Sequence, residues 1–273
     1  GFMLGDLKDK LQPIGRLDVL DAVGAKALAY YEGQDKAKLS DESLAQRSKA
    51  LTLMGQVASD RGNLTAALRL EKEAFASTAE LLRREPSDSQ RIFDHAQNVF
   101  YVSDVMRARG SMREAEAMLR EYKALATRLI ASDPSNPKWQ LEGIYADTNL
   151  GIMLNESGRY SEAAAVFENS LAAREKLSAS APDNVEYRKA LISVLAWLGE
   201  AREKEGRLDA GLAQREREIG LLEPYLGDPK GDTQYCRDAL VAYRAAGRLN
   251  GVRGDIAKGV EQLRKSVSIC EQL

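Results

Sequence analysis

Along most of the chain apolar residues recur three or four positions apart, the spacing of one face of an α-helix, and nowhere do they alternate as in a half-buried strand. Between residues 139 and 181 the pattern is plainest. Tyr145, Leu150, Ile152 and Leu154 mark one helix that ends at Ser157-Gly158, and Ala164, Phe167, Leu171 and Leu177 mark a second. Gly158 suits the left-handed residue after a helix C-terminus. Ser161-Glu162 sets a capping hydroxyl and an early acid where a helix start favours both. Breaker segments at Asp133-Pro134-Ser135-Asn136-Pro137 and Ala181-Pro182-Asp183-Asn184 enclose the pair. The pattern predicts an all-α chain built from helical hairpins.

The hairpin recurs. Gly62, Gly110, Gly158, Gly206 and Gly254 stand 48 residues apart, and Pro86, Pro134 and Pro182 keep the same step. Small residues share the phase: Gly55, Ser103, Gly151, Gly199 and Gly247 precede the loop glycines by seven, and Ala67, Ala115, Ala163, Gly211 and Gly259 follow them by five. Small side chains at both positions let two helix backbones approach closely. The register predicts five units, 39–86, 87–134, 135–182, 183–230 and 231–273, behind a leader of residues 1–38. Phe2, Leu4, Leu7 and Leu11, and then Val19, Leu20, Val23, Ala27, Leu28 and Tyr31, give the leader two amphipathic helices about Pro13-Ile14-Gly15. A solenoid end needs its apolar face covered, so a capping role is expected for them, with coupling or dimerisation as the alternative.

Composition narrows the chemistry. The 273 residues carry 41 acids and 39 bases, a formal charge of −2, which argues against a nucleic-acid binder. No uncharged apolar run approaches the ~20 residues of a membrane helix, and nothing resembles a cleavable signal peptide. The opening Gly-Phe-Met reads as a domain cut from a longer protein. Phosphate loops, zinc-binding His-Glu motifs, Cys-x2-Cys pairs and nucleophile elbows are all missing, so neither catalysis, a metal nor a cofactor is expected. The single histidine, His95, lacks catalytic or metal partners and reads as a satisfied or solvent-facing side chain. Acids two apart, such as Glu114/Glu116 and Glu203/Glu205, do not face one another on a helix. The run Gln214-Arg215-Glu216-Arg217-Glu218 reads as a solvated face. Cys236 and Cys270, similarly far from Gly254, read as two buried thiols rather than a disulfide.

Leu150-Gly151, Gly158-Arg159-Tyr160, Ala163 and Phe167 together resemble the tetratricopeptide repeat, as do Leu198-Gly199 with Gly206-Arg207-Leu208 and Met54-Gly55 with Gly62-Asn63-Leu64 and Ala67. The family's usual period is about 34 residues, so the 48-residue step implies longer helices. The resemblance implies a right-handed superhelical solenoid that binds a protein or peptide on the concave surface lined by the first helices. Carried over by register, the groove positions are Lys49, Thr52 and Gln56; Gln97, Phe100, Asp104 and Arg107; Tyr145, Thr148, Ile152 and Asn155; Glu200, with Ser193, Ala196 and Glu203 beside it; and Arg244 and Arg248, with Val241. Trp197 is expected to pack between units. The carboxylate clamp of chaperone-binding arrays is rejected, because Thr52 and Gln56 stand where Lys and Asn are needed. Central acids and terminal arginines suit a partner with a basic middle and an acidic end. Long-period arrays of this kind resemble parts of large multidomain bacterial signalling or defence proteins. The implied role is a non-catalytic scaffold module, cytoplasmic or carried beyond a membrane anchor, with no direct membrane contact. A small-molecule sensor with a closed apolar pocket, and an oligomerisation module acting through its terminal helices, are the rival readings.

Overall fold

The computed structural model describes residues 38–226 and 233–270; the leader helices expected before residue 38 lie outside the described residues. Ten α-helices follow one another there: α1 (Asp41–Asp60), α2 (Leu64–Arg84), α3 (Ser89–Ala108), α4 (Met112–Ser132), α5 (Pro137–Glu156), α6 (Tyr160–Ser180), α7 (Val185–Lys204), α8 (Leu208–Leu222), α9 (Thr233–Val252) and α10 (Ile256–Cys270). The odd-numbered helices start at Asp41, Ser89, Pro137, Val185 and Thr233, each 48 residues after the last, and the even-numbered helices keep the same step. Among the described residues there is no strand.

Two kinds of turn join the helices, and each follows from local sequence. Within a hairpin the loop glycine takes a left-handed φ, from +75° at Gly62 and Gly158 to +92° at Gly254. The next residue's N–H then donates back five residues, Asn63 to Ala58, Ser111 to Met106, Arg159 to Leu154, Arg207 to Arg202 and Asp255 to Asn250, each at 2.9 Å. This Schellman closure satisfies carbonyls that the helix end would otherwise leave bare. Between hairpins a proline opens a tight turn in which Asp88, Asn136 and Asn184 donate to Glu85, Asp133 and Ala181. Proline's fixed φ suits the second position of such a turn. The residue closing the turn also serves the next helix: the Asp88 and Asn184 side chains accept the backbone N–H groups of Arg91 and Tyr187 at 2.9 and 3.1 Å. Ser161 departs from expectation. Arg159 holds the N-cap position of α6 without a side-chain cap bond, and the Ser161 hydroxyl donates instead to Glu205 of the next hairpin at 2.7 Å.

Contacts divide the chain into two units, Gly1–Ala146 and Asp147–Leu273, the division falling inside α5. In the first, Leu51, Leu70 and Ala74 pack α1 on α2, and Leu39, Leu44 and Leu81 close the other end of that hairpin. In the second, Ile192, Leu212, Ile219 and Leu222 pack with Tyr235, Ala239, Ala242, Ala246, Leu249 and Ile269. Each leucine or isoleucine fully buried this way contributes about 1.5–3 kcal/mol. Cys236 is a free, half-buried thiol at the edge of this cluster.

The in-phase small residues are where helices nearly touch. A Cβ at Gly151 would overlap the Phe167 ring, and one at Gly55 would overlap Glu71. One at Gly259 would stand 2.9 Å from the Gly247 carbonyl, and one at Gly211 3.0 Å from that of Gly199. The residue facing the small position on the second helix is Phe167 in α6 and Leu263 in α10, but Glu71 in α2 and Arg215 in α8. The run at 214–218 is therefore only partly a solvated face. Arg215 and Glu218 are both buried and paired at 2.8 Å, because residue 215 points at Gly199 and residue 218 lies one turn further along the same side. Burial raises the Glu218 carboxyl to about 7 even though Arg215 pulls the other way.

Candidate functional site

The first-helix positions singled out in the sequence separate into two groups. One group bonds neighbouring helices to one another. In the first unit the Thr52 hydroxyl reaches the Asn98 carbonyl oxygen at 3.3 Å, and Ser48 reaches the same atom at 3.2 Å. Gln56 is hydrogen-bonded to Tyr101. Gln97 donates to Glu142, which also accepts the Tyr122 hydroxyl at 2.6 Å. Glu142 is buried, and that burial raises its carboxyl and, more strongly, the Tyr122 phenol that bonds it. Asp94, one repeat earlier at the same register, is likewise raised by burial.

The second unit does the same with other residues. Asn155 donates to Glu200 at 3.3 Å, and Glu200 pairs with Lys204 at 2.5 Å. Arg248 pairs with Glu203 at 2.5 Å. Both cross-hairpin bonds join the residue three before one loop glycine to the residue six before the next. Thr148 accepts from Arg174, a buried guanidinium that also donates to the Ala190 carbonyl at 2.8 Å and is lowered to about 10 by burial. These residues set the spacing of the hairpins, and their polar groups are largely spent on one another. A buried polar group needs such partners, since leaving one unmet costs about 1–3 kcal/mol.

The other group faces outward. Tyr145 is 42% exposed, and Lys49 is exposed as well. Phe100 is half-buried, with its ring 5.5 Å from Tyr101 and 5.8 Å from Tyr122. Arg107 is exposed and meets Asp104 at 3.4 Å, while Ile152 is half-buried. On α9, Arg237, Val241, Arg244 and Arg248 are all exposed, and their spacing of four, three and four puts them on one stripe. Arg237 and Arg244 make no ion pair with a described residue. Trp197 is half-buried and stacks on Phe167 of the preceding hairpin, as expected of a packing residue.

Residues missing from the sequence-based set include Glu142, Asn98, Tyr101 and Arg237. Glu142 had a visible signal: Asp94, Glu142 and Asp238 all stand sixteen residues before a loop glycine. His95 is buried, its Nδ1 3.0 Å from the Thr78 hydroxyl and its ring against Phe75. Among the described residues no cluster of three or more His, Cys, Asp or Glu side chains could hold a metal ion, and no helix is long and apolar enough to cross a membrane. Two clefts of the second unit, about 650 Å³ around Arg207, Asp209 and Arg253 and about 350 Å³ around Arg159, Lys204 and Glu205, are open and charged.

Helix pairs closed by left-handed glycines, in register and in contact through small residues, define a helical-repeat fold of the tetratricopeptide type. The tetratricopeptide-repeat family model matches residues 148–180. Among solved structures, BtubC from P. vanneervenii is similar at a TM-score of 0.69 and 14% identity, over 93% of this chain and 89% of that one. A Podosopora anserina protein of kinesin-light-chain type with nearly identical TPR-like repeats is similar at 0.62 and 15%, over 82% and 94%. MamA from Desulfovibrio magneticus RS-1 is similar at 0.52 and 17%, over 82% and 96%. At these identities the likeness is one of fold. No curated protein matches the sequence.

Proposed function

We propose that the chain is a non-catalytic scaffold module that binds an extended protein segment on the exposed faces of its first helices. The observation that carries this reading is the α9 stripe. Arg237, Arg244 and Arg248 stand around an apolar Val241 that is 41% exposed. Cations about an exposed apolar side chain suit a peptide that brings carboxylates and one hydrophobic residue. The exposed Tyr145 ring offers the kind of aromatic anchor typical of such surfaces. The open, charged clefts suit a small-molecule sensor less well, since that role calls for an enclosed apolar pocket.

On this reading the five 48-residue units 39–86, 87–134, 135–182, 183–230 and 231–273 act as one array, preceded by the capping residues 1–38. The array works within a larger bacterial signalling or defence protein, on the cytoplasmic side. The test is selection from a random peptide library, with the wild type, Tyr145→Ala and Arg244→Glu as parallel baits. The expected outcome is acid-rich peptides from the wild type that bind Arg244→Glu at least about tenfold more weakly, a loss of about 1.4 kcal/mol. Peptides that bind all three equally would defeat the assignment of the face.

A further inference from the structure

Glu142 of α5 is only 4% exposed, yet among the described residues no cation pairs with it. The positive side chain that acts on it, Lys138, stands 3.8 Å over the Phe93 ring instead. Glu218, likewise buried, has Arg215 at 2.8 Å. A carboxylate taken this far out of water ordinarily needs such a partner. The two groups that do bond Glu142, the Gln97 amide and the Tyr122 hydroxyl, are neutral, and both donate to Oε1. Among the described residues nothing donates to Oε2. The surroundings are aromatic. Tyr145, 42% exposed, stands three residues further along α5 on the same face. Its phenol lies close enough to that of Tyr122 to act on its charge. The half-buried Phe100 ring is 5.8 Å from the Tyr122 ring.

We propose that Glu142 anchors an arginine of the bound segment, the guanidinium bonded to Oε2 and laid against the Tyr145 ring. A carboxylate oxygen without a donor, beside tyrosine and phenylalanine rings, matches both properties of that group. Its N–H fork makes charge-assisted bonds to the oxygen, and its flat face stacks on a ring. A lysine ammonium is more strongly hydrated and has no planar face to stack, so arginine is the better occupant. The inference rests on the reading that the first helices carry an extended protein segment. It adds to the acid-seeking stripe of α9 a requirement for a base in the first unit, where Gln97, Phe100, Tyr122, Glu142 and Tyr145 all lie.

A double-mutant cycle between peptide and protein tests this. Peptides that the wild-type chain selects from a random library should carry an arginine beside their acidic residues. Each arginine is replaced in turn by citrulline, which keeps the shape and removes the charge. At one position citrulline should weaken binding to the wild type at least about tenfold. Glu142→Gln should weaken the arginine peptide by a similar factor, and the citrulline peptide should bind both proteins alike, as two changes to one contact do. The urea midpoint of Glu142→Gln should equal or exceed that of the wild type, because the new amide oxygen still accepts from Gln97 and Tyr122 while no charge is buried. Lost affinity without lost stability separates an anchor from a packing residue. Peptides that Arg244→Glu weakens but that lack arginine, or that tolerate citrulline at every position, would overturn the arginine site and leave the scaffold reading standing. Losses from citrulline and from Glu142→Gln that simply add would also overturn the site. Selection that yields no peptide would overturn both readings.

Discussion

Gly151 and Gly62 are both glycines for steric reasons, but for different ones. Gly62 holds φ at +75° with nothing within 4 Å of an added Cβ, so Gly62→Ala meets only the backbone penalty of about 1–2 kcal/mol. At Gly151 an added Cβ meets a rigid ring, and Phe167 is itself fully buried. Gly151→Ala should lose roughly 1–3 kcal/mol to overpacking, read as a lowered urea midpoint, and Gly151→Ala/Phe167→Leu should recover part of it. The buried Arg215–Glu218 pair is the second residue-scale test. The Glu218 carboxyl is raised from its ordinary 4.5 to about 7, so the fold holds this proton more tightly than the unfolded chain does. Its contribution to stability is therefore full below pH ~4.5 and is lost as pH rises through ~7. Thermal unfolding followed between pH 5 and 8 should show stability falling over that window. Arg215→Leu/Glu218→Ser, which copies the residues at the same register in α10, should remove that slope and be neutral or stabilising, as replacing a buried pair by matched neutral residues often is. An unchanged slope in the double variant would assign the pH dependence elsewhere.

Between elements, the cross-hairpin bonds carry register that apolar packing alone leaves loose. Glu142 receives both Gln97 and Tyr122, and its burial makes that acceptor costly to leave unpartnered. Tyr122→Phe should cost about 1–2 kcal/mol by urea unfolding, and Tyr122→Phe/Glu142→Leu should cost less than the two single changes added together. The element plan was largely legible in the chain. Glycine at a left-handed turn and proline at the second position of a tight turn have few substitutes, so their positions mark where helices stop and start. The cap of α6 was misread because the closing bond from Arg159 to Leu154 shifts the helix start one residue ahead of Ser161 and frees that hydroxyl for Glu205. The burial of Arg215 and Glu218 was hidden for a related reason. A charged run looks solvated by composition, and only its register against Gly199 turns two of its members inward. Half of the candidate face was legible in the same limited sense: register places Thr52, Gln56, Gln97, Asn155 and Glu200 on the first helices, but not which of their polar groups a neighbouring helix already uses.

Across the molecule the two sets of helices divide the labour. Second helices and small-residue contacts build the hairpins. The first helices keep exposed side chains, Tyr145 in the first unit and Arg237, Val241 and Arg244 in the second, and these are the residues proposed to meet a partner segment. Amide hydrogen exchange with and without a selected acidic peptide tests that division most directly, since each helix yields its own peptic fragments. Binding should slow exchange in α5 and α9 and leave α2, α4 and α6 unchanged, and Arg244→Glu should abolish the effect in α9. Protection confined to the second helices, or unchanged by Arg244→Glu, would contradict that division.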